Sequence, residues 1–314
     1  MYFNNSTTPA GSSNTTAQEC HFHVSFKVFS SMLLMLIGCV AILENLLFCY
    51  VIYSKRHLQK RSMVLIVSLS ISDIFISLLV PSIETIFVVA FPQWPLGSVG
   101  SDLYNCVWMF SVVSPFTTIT AITFERYLAI CWKTIYEKIC TPFFMAITVL
   151  VVWAYSFIWV FCMGYYMKPI HVRKYVWNVN HRLYYSLIWF HVIVPLTIIP
   201  VLYHRILKHV KQTRAGLTSS TSCLIHNGKE SDIRLTKTVA RVIIVLYVIW
   251  LPVLTLEMIY TNFYSECMIK KLDLISVTLA CSNCCLNPIL YSYKNSEIKK
   301  YVKERKRTLK KWFC

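Results

Sequence analysis

Seven long apolar stretches separated by polar links dominate the chain. The stretches lie near residues 25–53, 62–91, 101–131, 142–165, 184–208, 236–262 and 269–293. Each can form a helix of about 20 residues, the length that crosses the ~30 Å hydrocarbon core of a bilayer. The links are mostly short, and the longest, near 209–235, is polar and is predicted to be a flexible loop. The pattern predicts an all-α membrane protein, a seven-transmembrane helix bundle forming one domain over residues 25–293.

Composition supports a membrane protein and weakens other classes. Of the 314 residues, 56% are hydrophobic and only 14% are charged, which is too apolar for a soluble domain of this length. A seven-helix transporter is the alternative from another class, but the spans show no repeated halves. HExxH, GxSxG and phosphate-binding glycine motifs do not occur in the sequence. We therefore expect no enzymatic activity and no cofactor.

The basic residues predict how the chain is oriented. If the N-terminus is extracellular, most of the 31 lysines and arginines fall in the inner links and in the tail, as the positive-inside rule requires. The net charge of +17 is thus a signal of topology and of contact with anionic membrane lipids. Nucleic acid is excluded as a partner, because the charge is divided among links between spans.

The two ends of the chain are predicted to lie on opposite sides of the membrane. Residues 1–24 are Ser/Thr-rich and contain glycosylation sequons at Asn4, Asn5 and Asn14, so they form an extracellular glycosylated segment. No cleavable signal precedes them, and the first span is expected to direct insertion. Residues 294–314 place Ile298, Tyr301 and Val302 at spacings of three or four among many lysines, which predicts an amphipathic helix 8 on the inner face. Its terminal Cys314 is a palmitoylation candidate, with a free thiol as the alternative.

Polar, aromatic and proline residues recur inside the spans in a fixed order. They are Asn45, Asp73, the Glu125-Arg126 pair, Trp153, Pro195, Tyr203, Trp250, Pro252, Asn287, Pro288 and Tyr291. In this order they resemble the signature of the rhodopsin-like (class A) G-protein-coupled receptors. The resemblance implies a plasma-membrane receptor that transmits binding of an extracellular ligand to heterotrimeric G proteins. It also implies arrestin and a receptor kinase as further partners.

The resemblance also implies a conformational switch. Arg126, beside Glu125, would bridge to Asp232 at the inner start of the sixth span in the inactive packing. A solvated Asp232 is the alternative. Pro195, Pro252 and Pro288 each remove a helical hydrogen bond, which makes their three helices locally weak. The resemblance makes them hinges, and ordinary proline kinks are the alternative.

Asp73 is the most deeply placed carboxylate among these residues. A charged group at that depth needs partners or a proton, and the nearest candidates by depth are Asn45, Asn283 and Asn287. In the family this cluster often holds sodium, with a serine of the third helix as a ligand. The matching position here is Pro115. Sodium at Asp73, a proton and a water-filled cluster all remain open.

Cysteine usage departs from the family pattern. The usual disulfide position at the top of the third helix is Ser101, and residues 166–183 contain no cysteine. Cys20 and Cys267 lie in outer segments that could meet, and they are the disulfide candidates. Together with LENLLF and SIETI, the missing bridge resembles the melanocortin, adenosine and lysolipid-cannabinoid branch, nearest to melanocortin receptors. Pro195 and the Asn287-Pro288 pair depart from the melanocortin pattern.

The outer halves of the spans supply candidate ligand-binding residues. They are Glu84, Trp108, His191, Trp250, Glu257 and Asp273. Carboxylates beside an aromatic cavity favour a cationic peptide or small molecule. Arg173 and Lys174 in the outer link oppose this, since they could neutralise the carboxylates or attract an anionic lipid. A receptor for a lysolipid or a nucleoside is therefore the alternative.

Overall fold

The computed structural model describes most of the apolar chain. Its backbone is described for residues 22–91, 93–166, 169–171, 176–177, 189–216, 226–263 and 266–294. Side chains are described for the narrower ranges 22–162, 190–212, 236–256, 268 and 270–290, apart from residues 57 and 92.

Long helices account for nearly all of the described chain. They are α1 (Val24–Ser54), α2 (Arg61–Ala90), α3 (Gly97–Cys131), the short α4 (Lys133–Ile139), α5 (Pro142–Tyr166), α6 (Val194–Gly216), α7 (His226–Phe263) and α8 (Glu266–Lys294). A 3-10 turn, Arg56–Leu58, follows α1, and a π-helical turn, Trp189–Ile193, precedes α6. Within the described ranges, seven of these helices are long and apolar enough to cross a membrane. The predicted seven-helix bundle is confirmed.

The link between α5 and α6 contains a short β-ribbon that the sequence analysis did not predict. Strand β1 (Pro169–His171) pairs in antiparallel fashion with β2 (Val176–Trp177). This ribbon is a small departure from an all-α architecture. Strand β1 contacts α3.

The prediction of a flexible loop over residues 209–235 was wrong in part. Helix α6 continues to Gly216, and α7 already begins at His226. Lysine, arginine and glutamate are frequent in these extensions, and such straight-chain residues favour a helix without needing apolar packing. A search for apolar windows therefore finds only the part of each helix that lies in hydrocarbon. It misses the polar residues with which the helix continues beyond the membrane.

Helix α3 lies at the centre of the bundle, packed against α2, α5, α6 and α7. Helix α1 packs on α2 and α8, and α7 packs on α8. Many large apolar side chains, such as Leu36 and Ile244, point outward, as expected where the surrounding solvent is lipid. At Gly38 a Cβ would lie 2.9 Å from the Ser77 carbonyl oxygen, so only glycine permits this approach of α1 to α2.

Prolines interrupt several spans. Pro252 and Pro288 lie inside α7 and α8, as predicted, and Pro115 lies inside α3. Pro195 instead occupies the second position of α6, directly after the π-helical turn. The irregularity of the fifth span is therefore a π turn on the N-terminal side of Pro195. Such turns are frequent at functional sites.

Candidate functional site

Arg126 lies in an almost fully buried ion pair near the end of α3 that the sequence predicts to be cytoplasmic. That end of the bundle is called the inner end, and the opposite one the outer end. Its Nε donates to Glu125 Oε2 at 2.5 Å, and its Nη2 donates to Glu125 Oε1. The side chain of Arg126 is 2% exposed and that of Glu125 is 5% exposed. A bidentate guanidinium–carboxylate pair is the strongest geometry available to these groups. Glu125 therefore supplies the counter-charge that allows Arg126 to be buried.

Tyr136 completes this inner cluster from α4. Its hydroxyl donates to Glu125 Oε1 at 2.8 Å. Burial, and then the nearby Glu125 carboxylate, raise the pKa of Tyr136 well above its usual range, so the phenol remains a donor. The sequence analysis missed Tyr136, because it lies in a link that apolar periodicity does not describe. Glu125 is thus held from α4 as well as by Arg126.

The predicted partner Asp232 lies in α7, but its side chain is outside the described residues. The contact that the structure does describe between the inner parts of α6 and α7 comes from Tyr203. Its hydroxyl donates to the carbonyl oxygen of Thr236 at 3.2 Å. Tyr203 thus links the two helices one turn beyond Asp232 along α7.

Asp73 lies fully buried between α1, α2 and α8. Asn287 Nδ2 donates to Asp73 Oδ2 at 2.9 Å. Asn45 Nδ2 donates to the carbonyl oxygens of Ala41 and Cys284, at 2.9 and 3.0 Å. These bonds tie α8 to both α1 and α2 next to Pro288, where α8 lacks a backbone donor. The structure thus brings together three of the predicted switch residues, Asn45, Asp73 and Asn287.

The same cluster contains buried oxygens that could accept a cation or water. Among the described side chains, Oδ1 of Asp73 and of Asn45, Asn283 and Asn287 is buried without a hydrogen-bond partner. Carboxylate and amide oxygens suit a hard cation such as sodium. Pro115 provides no side-chain oxygen from α3. The described residues contain no group of three or more His, Cys, Asp or Glu that could hold a metal ion. The oxygens of α1, α2 and α8 come from one carboxylate and three amides, and this set fits sodium or water.

Trp250 lines a small cavity in the bundle. Its indole is 1% exposed and meets the Phe116 ring edge to face, with centroids 5.4 Å apart. The cavity is lined by Ile76, Val80, Trp108, Ser111, Pro115, Trp250, Ala280, Cys281, Asn283 and Cys284. Trp108 and Trp250, predicted separately, are therefore brought to one cavity. Asn283 and Cys284 connect that cavity with the polar cluster around Asp73.

Glu84 and Asp273 meet at the outer end of the bundle, with a lysine between them. Lys270 Nζ lies 2.5 Å from Glu84 Oε1 and 2.7 Å from Asp273 Oδ2. Tyr104 donates its hydroxyl to Glu84 Oε2 at 2.8 Å. From the sequence, the partner expected for Glu84 was a ligand cation, or an arginine or lysine of an outer link. Lys270 was not considered as the partner, because it lies near the end of its span. The i, i+3 spacing of Lys270 and Asp273 was the available signal.

His191 lies on another side of the bundle. Its Nε2 is 2.9 Å from the Tyr155 hydroxyl, and its ring meets Trp159 edge to face with centroids 4.6 Å apart. The residue therefore joins the π-helical turn to α5. It does not line the cavity that contains Trp108 and Trp250.

Several predicted positions lie outside the described residues. They are Asn4, Asn5, Asn14, Cys20, the helix 8 segment with Cys314, and the side chains of Asp232, Glu257, Cys267 and Tyr291. The cysteines whose side chains the structure does describe are free thiols. The Cys20–Cys267 disulfide stays a prediction.

Comparison with known proteins places this bundle in a family. Residues 44–291 match the model of the 7 transmembrane receptor (rhodopsin family). The chain is 27% identical to the RYamide receptor of Drosophila melanogaster over 309 residues, covering 92% of this chain and 66% of that receptor. It is 24% identical to the melatonin receptor type 1B of Mus musculus over 267 residues, covering 82% and 72% of the two chains.

A third relative gives the same result. The histamine H2 receptor of Rattus norvegicus is 25% identical over 307 residues, covering 91% of this chain and 82% of that receptor. The matched residues include α2 to α7, the last third of α1 and most of α8, with the Arg126, Asp73 and Trp250 clusters. Since the family model spans most of the chain, this protein belongs to the rhodopsin family of seven-transmembrane receptors.

Proposed function

We propose that this multi-pass plasma-membrane protein is a two-state receptor that couples an extracellular ligand to heterotrimeric G proteins. The observation that supports this most directly is the burial of Arg126 against Glu125 at the inner end of the central helix α3. Arginine side chains are rarely buried, because the desolvation of the guanidinium group is costly. A buried arginine therefore suggests a functional role. We take the described packing to be the resting state, in which Arg126 is withheld from the cytoplasm. Like its relatives, the chain is a receptor and not an enzyme.

Activation in this proposal moves the inner parts of α6 and α7 away from α3. The Tyr203–Thr236 hydrogen bond joins these two helices, and the Asn287–Asp73 bond joins α8 to α2. Pro252 and Pro288 provide the points where α7 and α8 can bend. Arg126 then leaves Glu125 and faces the G protein. Ligand binding shifts the balance of the two packings by its differential affinity for them.

The ligand in this proposal is cationic. The relatives are named as receptors for RYamide, melatonin and histamine, and none of these names favours a lysolipid or a nucleoside. The described outer cluster contains two carboxylates, Glu84 and Asp273, and one lysine, Lys270, so it has one negative charge in excess. Glu257 is a further predicted carboxylate at this level. An excess of acid beside an aromatic cavity favours a cation.

The branch within the family remains an inference from sequence. LENLLF, SIETI and the absent family disulfide favour kinship with melanocortin, adenosine and lysolipid-cannabinoid receptors. The names of the relatives do not add support to that branch. The same proposal includes an extracellular glycosylated N-terminus, a Cys20–Cys267 disulfide, and a palmitoylated amphipathic helix over residues 294–314. It also includes arrestin, receptor kinase and membrane lipids as partners.

A sensor assay for G-protein dissociation in cells tests this function. Cells expressing the chain are screened with cationic peptides, amines, nucleosides and lysolipids, using sensors for each G-protein class. A cationic agonist is expected, and Glu257→Gln should weaken its potency by about 1.5–3 kcal/mol, the range for a charge-assisted hydrogen bond. Asp102→Asn, an exposed carboxylate of α3, is the matched control. An anionic full agonist with unchanged potency in Glu257→Gln would contradict the cationic ligand.

A further inference from the structure

The ammonium group of Lys270 is enclosed at the outer end of the bundle in the manner of a bound ligand. The side chain is only 3% exposed, and its Nζ bonds to Glu84 at 2.5 Å and to Asp273 at 2.7 Å. The ring of Phe87 lies against the same nitrogen, with its centroid 4.0 Å away. An ammonium has three donors and no acceptor. Carboxylates and an aromatic face are the groups with which proteins bind ammonium ligands.

Most of this enclosure is fixed by helices other than that of the lysine. Glu84 and Phe87 lie on α2, and the second oxygen of Glu84 accepts a hydrogen bond from Tyr104 of α3 at 2.8 Å. Phe87 packs edge to face on Trp94, with centroids 5.1 Å apart, and Trp94 lies 5.8 Å from Tyr104. These contacts do not involve Lys270. The α2 and α3 side chains are therefore positioned whether or not the lysine is present.

The charge balance requires a cation or a proton at this position. Glu84 is 0% exposed, and Asp273 is 13% exposed. Buried carboxylates that lack a counter-ion repel each other and lose hydration without compensation. Lysine is a point charge on a flexible four-carbon stem, and here it comes from the first residues of α8. The Lys270 side chain thus reaches the two carboxylates from near the N-terminal end of α8.

We propose that Glu84, Asp273 and Phe87 form a binding site for a primary ammonium group, which the receptor fills with its own Lys270. A ligand that presents a primary amine can enter this site only by displacing Lys270, and displacement frees the outer end of α8 from α2. That consequence rests on the proposed function. The existence of the ammonium site does not, and it can be tested without any signalling assay.

Removal of the occupant provides the test. Lys270→Ala deletes the atoms from Cγ to Nζ, which are those of n-propylammonium. The thermal unfolding midpoint of the purified full-length receptor in lipid nanodiscs is measured with and without n-propylammonium chloride. We expect a lower midpoint for Lys270→Ala and its recovery by several degrees with n-propylammonium. Sodium propionate, of similar length and opposite charge, should give no recovery.

Wild type and a neighbouring variant are the controls. In wild type the site is filled, and in Lys271→Ala an exposed lysine one residue away is lost, so n-propylammonium should shift neither midpoint. The double variant Lys270→Ala/Glu84→Gln should also lose the response. An equal shift in all four proteins, or no shift in folded Lys270→Ala, overturns the proposal.

A second comparison remains decisive if Lys270→Ala does not fold. Surface expression of Lys270→Met is compared with that of Lys270→Met/Glu84→Gln, which carries one fewer uncompensated carboxylate. The double variant is expected at the higher level, because the two sites are coupled. Equal or lower expression of the double variant overturns the ammonium site. Neither comparison uses a G protein, so failure here is distinguishable from failure of the proposed function.

Discussion

Replacement of Glu125 by glutamine tests whether the buried pair with Arg126 stabilises the resting packing. The substitution keeps the shape but removes the charge opposite a guanidinium that is 2% exposed. Loss of a hydrogen-bonded charge pair costs about 1.5–3 kcal/mol when an uncharged acceptor remains, and up to roughly 5 kcal/mol when the partner is left alone. If the active packing holds no such pair, the cost falls on the resting state only.

The magnitude follows from this cost. Each 1.4 kcal/mol changes an equilibrium by about tenfold, so 1.5–3 kcal/mol corresponds to a factor of roughly 12–140. A receptor that is about 1% active without ligand would become roughly 10–60% active. Tyr136→Phe removes only the hydroxyl that bonds to Glu125. It should give a smaller rise, since Glu125 keeps its charge and its two hydrogen bonds from Arg126 and loses only one bond, from a half-buried hydroxyl.

Ligand-independent G-protein dissociation in cells, at matched surface expression, measures the effect. Glu137→Gln on α4 is the control, because this glutamate is 63% exposed and pairs with Lys133 at 3.8 Å in solvent. Exposed pairs of this kind contribute little. Unchanged basal signalling in Glu125→Gln, or an equal rise in Glu137→Gln, would show that this buried pair does not stabilise the resting packing.

The remaining predictions concern the second bridge, the outer cysteines and the close approach of α1 to α2. Asp232→Ala should raise basal signalling in the same assay, and no rise at equal surface expression would argue against a bridge to α3. Cys20→Ser and Cys267→Ser should lower surface expression by similar and non-additive amounts if the two are bonded; additive effects exclude the disulfide. Gly38→Val should lower the unfolding midpoint, because its Cβ would lie 2.9 Å from the Ser77 carbonyl oxygen. Overpacking typically costs about 1–3 kcal/mol, and an unchanged midpoint would show that the helices can separate there.

The membrane-spanning architecture could be predicted because hydrocarbon imposes one strong rule on the sequence. Every span must satisfy its own backbone and present apolar side chains to lipid, which leaves an unmistakable pattern. Helix ends were less predictable, since α6 and α7 extend into polar sequence up to Gly216 and from His226. There the helix continues in water, where apolar periodicity has no reason to persist.

The Asp73 cluster and the Arg126 cluster were predictable to different degrees. Asp73 and Asn287 were placed together by their depth in two spans, and their side chains bond at 2.9 Å. Tyr136 was missed, because its position depends on the fold of a short link. A residue in a link has no periodic signal that indicates what it contacts.

The cluster of Glu84, Asp273 and Lys270 was also predictable only in part. The sequence indicated the acidic groups Glu84 and Asp273 but not their cation, because Lys270 and Glu84 are distant in sequence and meet only through packing of α2 on α8. Charge counting showed that a counter-ion was needed. It could not show that the chain supplies its own.

Nucleotide exchange on purified G proteins tests directly whether release of Arg126 from Glu125 activates the receptor. Full-length receptor in nanodiscs is mixed with heterotrimers of each G-protein class, and GTP-analogue binding is followed without ligand for wild type, Glu125→Gln, Arg126→Ala and the double variant. We expect faster exchange with Glu125→Gln than with wild type on at least one heterotrimer, and loss of that gain when Arg126 is also replaced. Exchange no faster than in receptor-free samples for every heterotrimer, or a gain that persists without Arg126, would contradict this expectation.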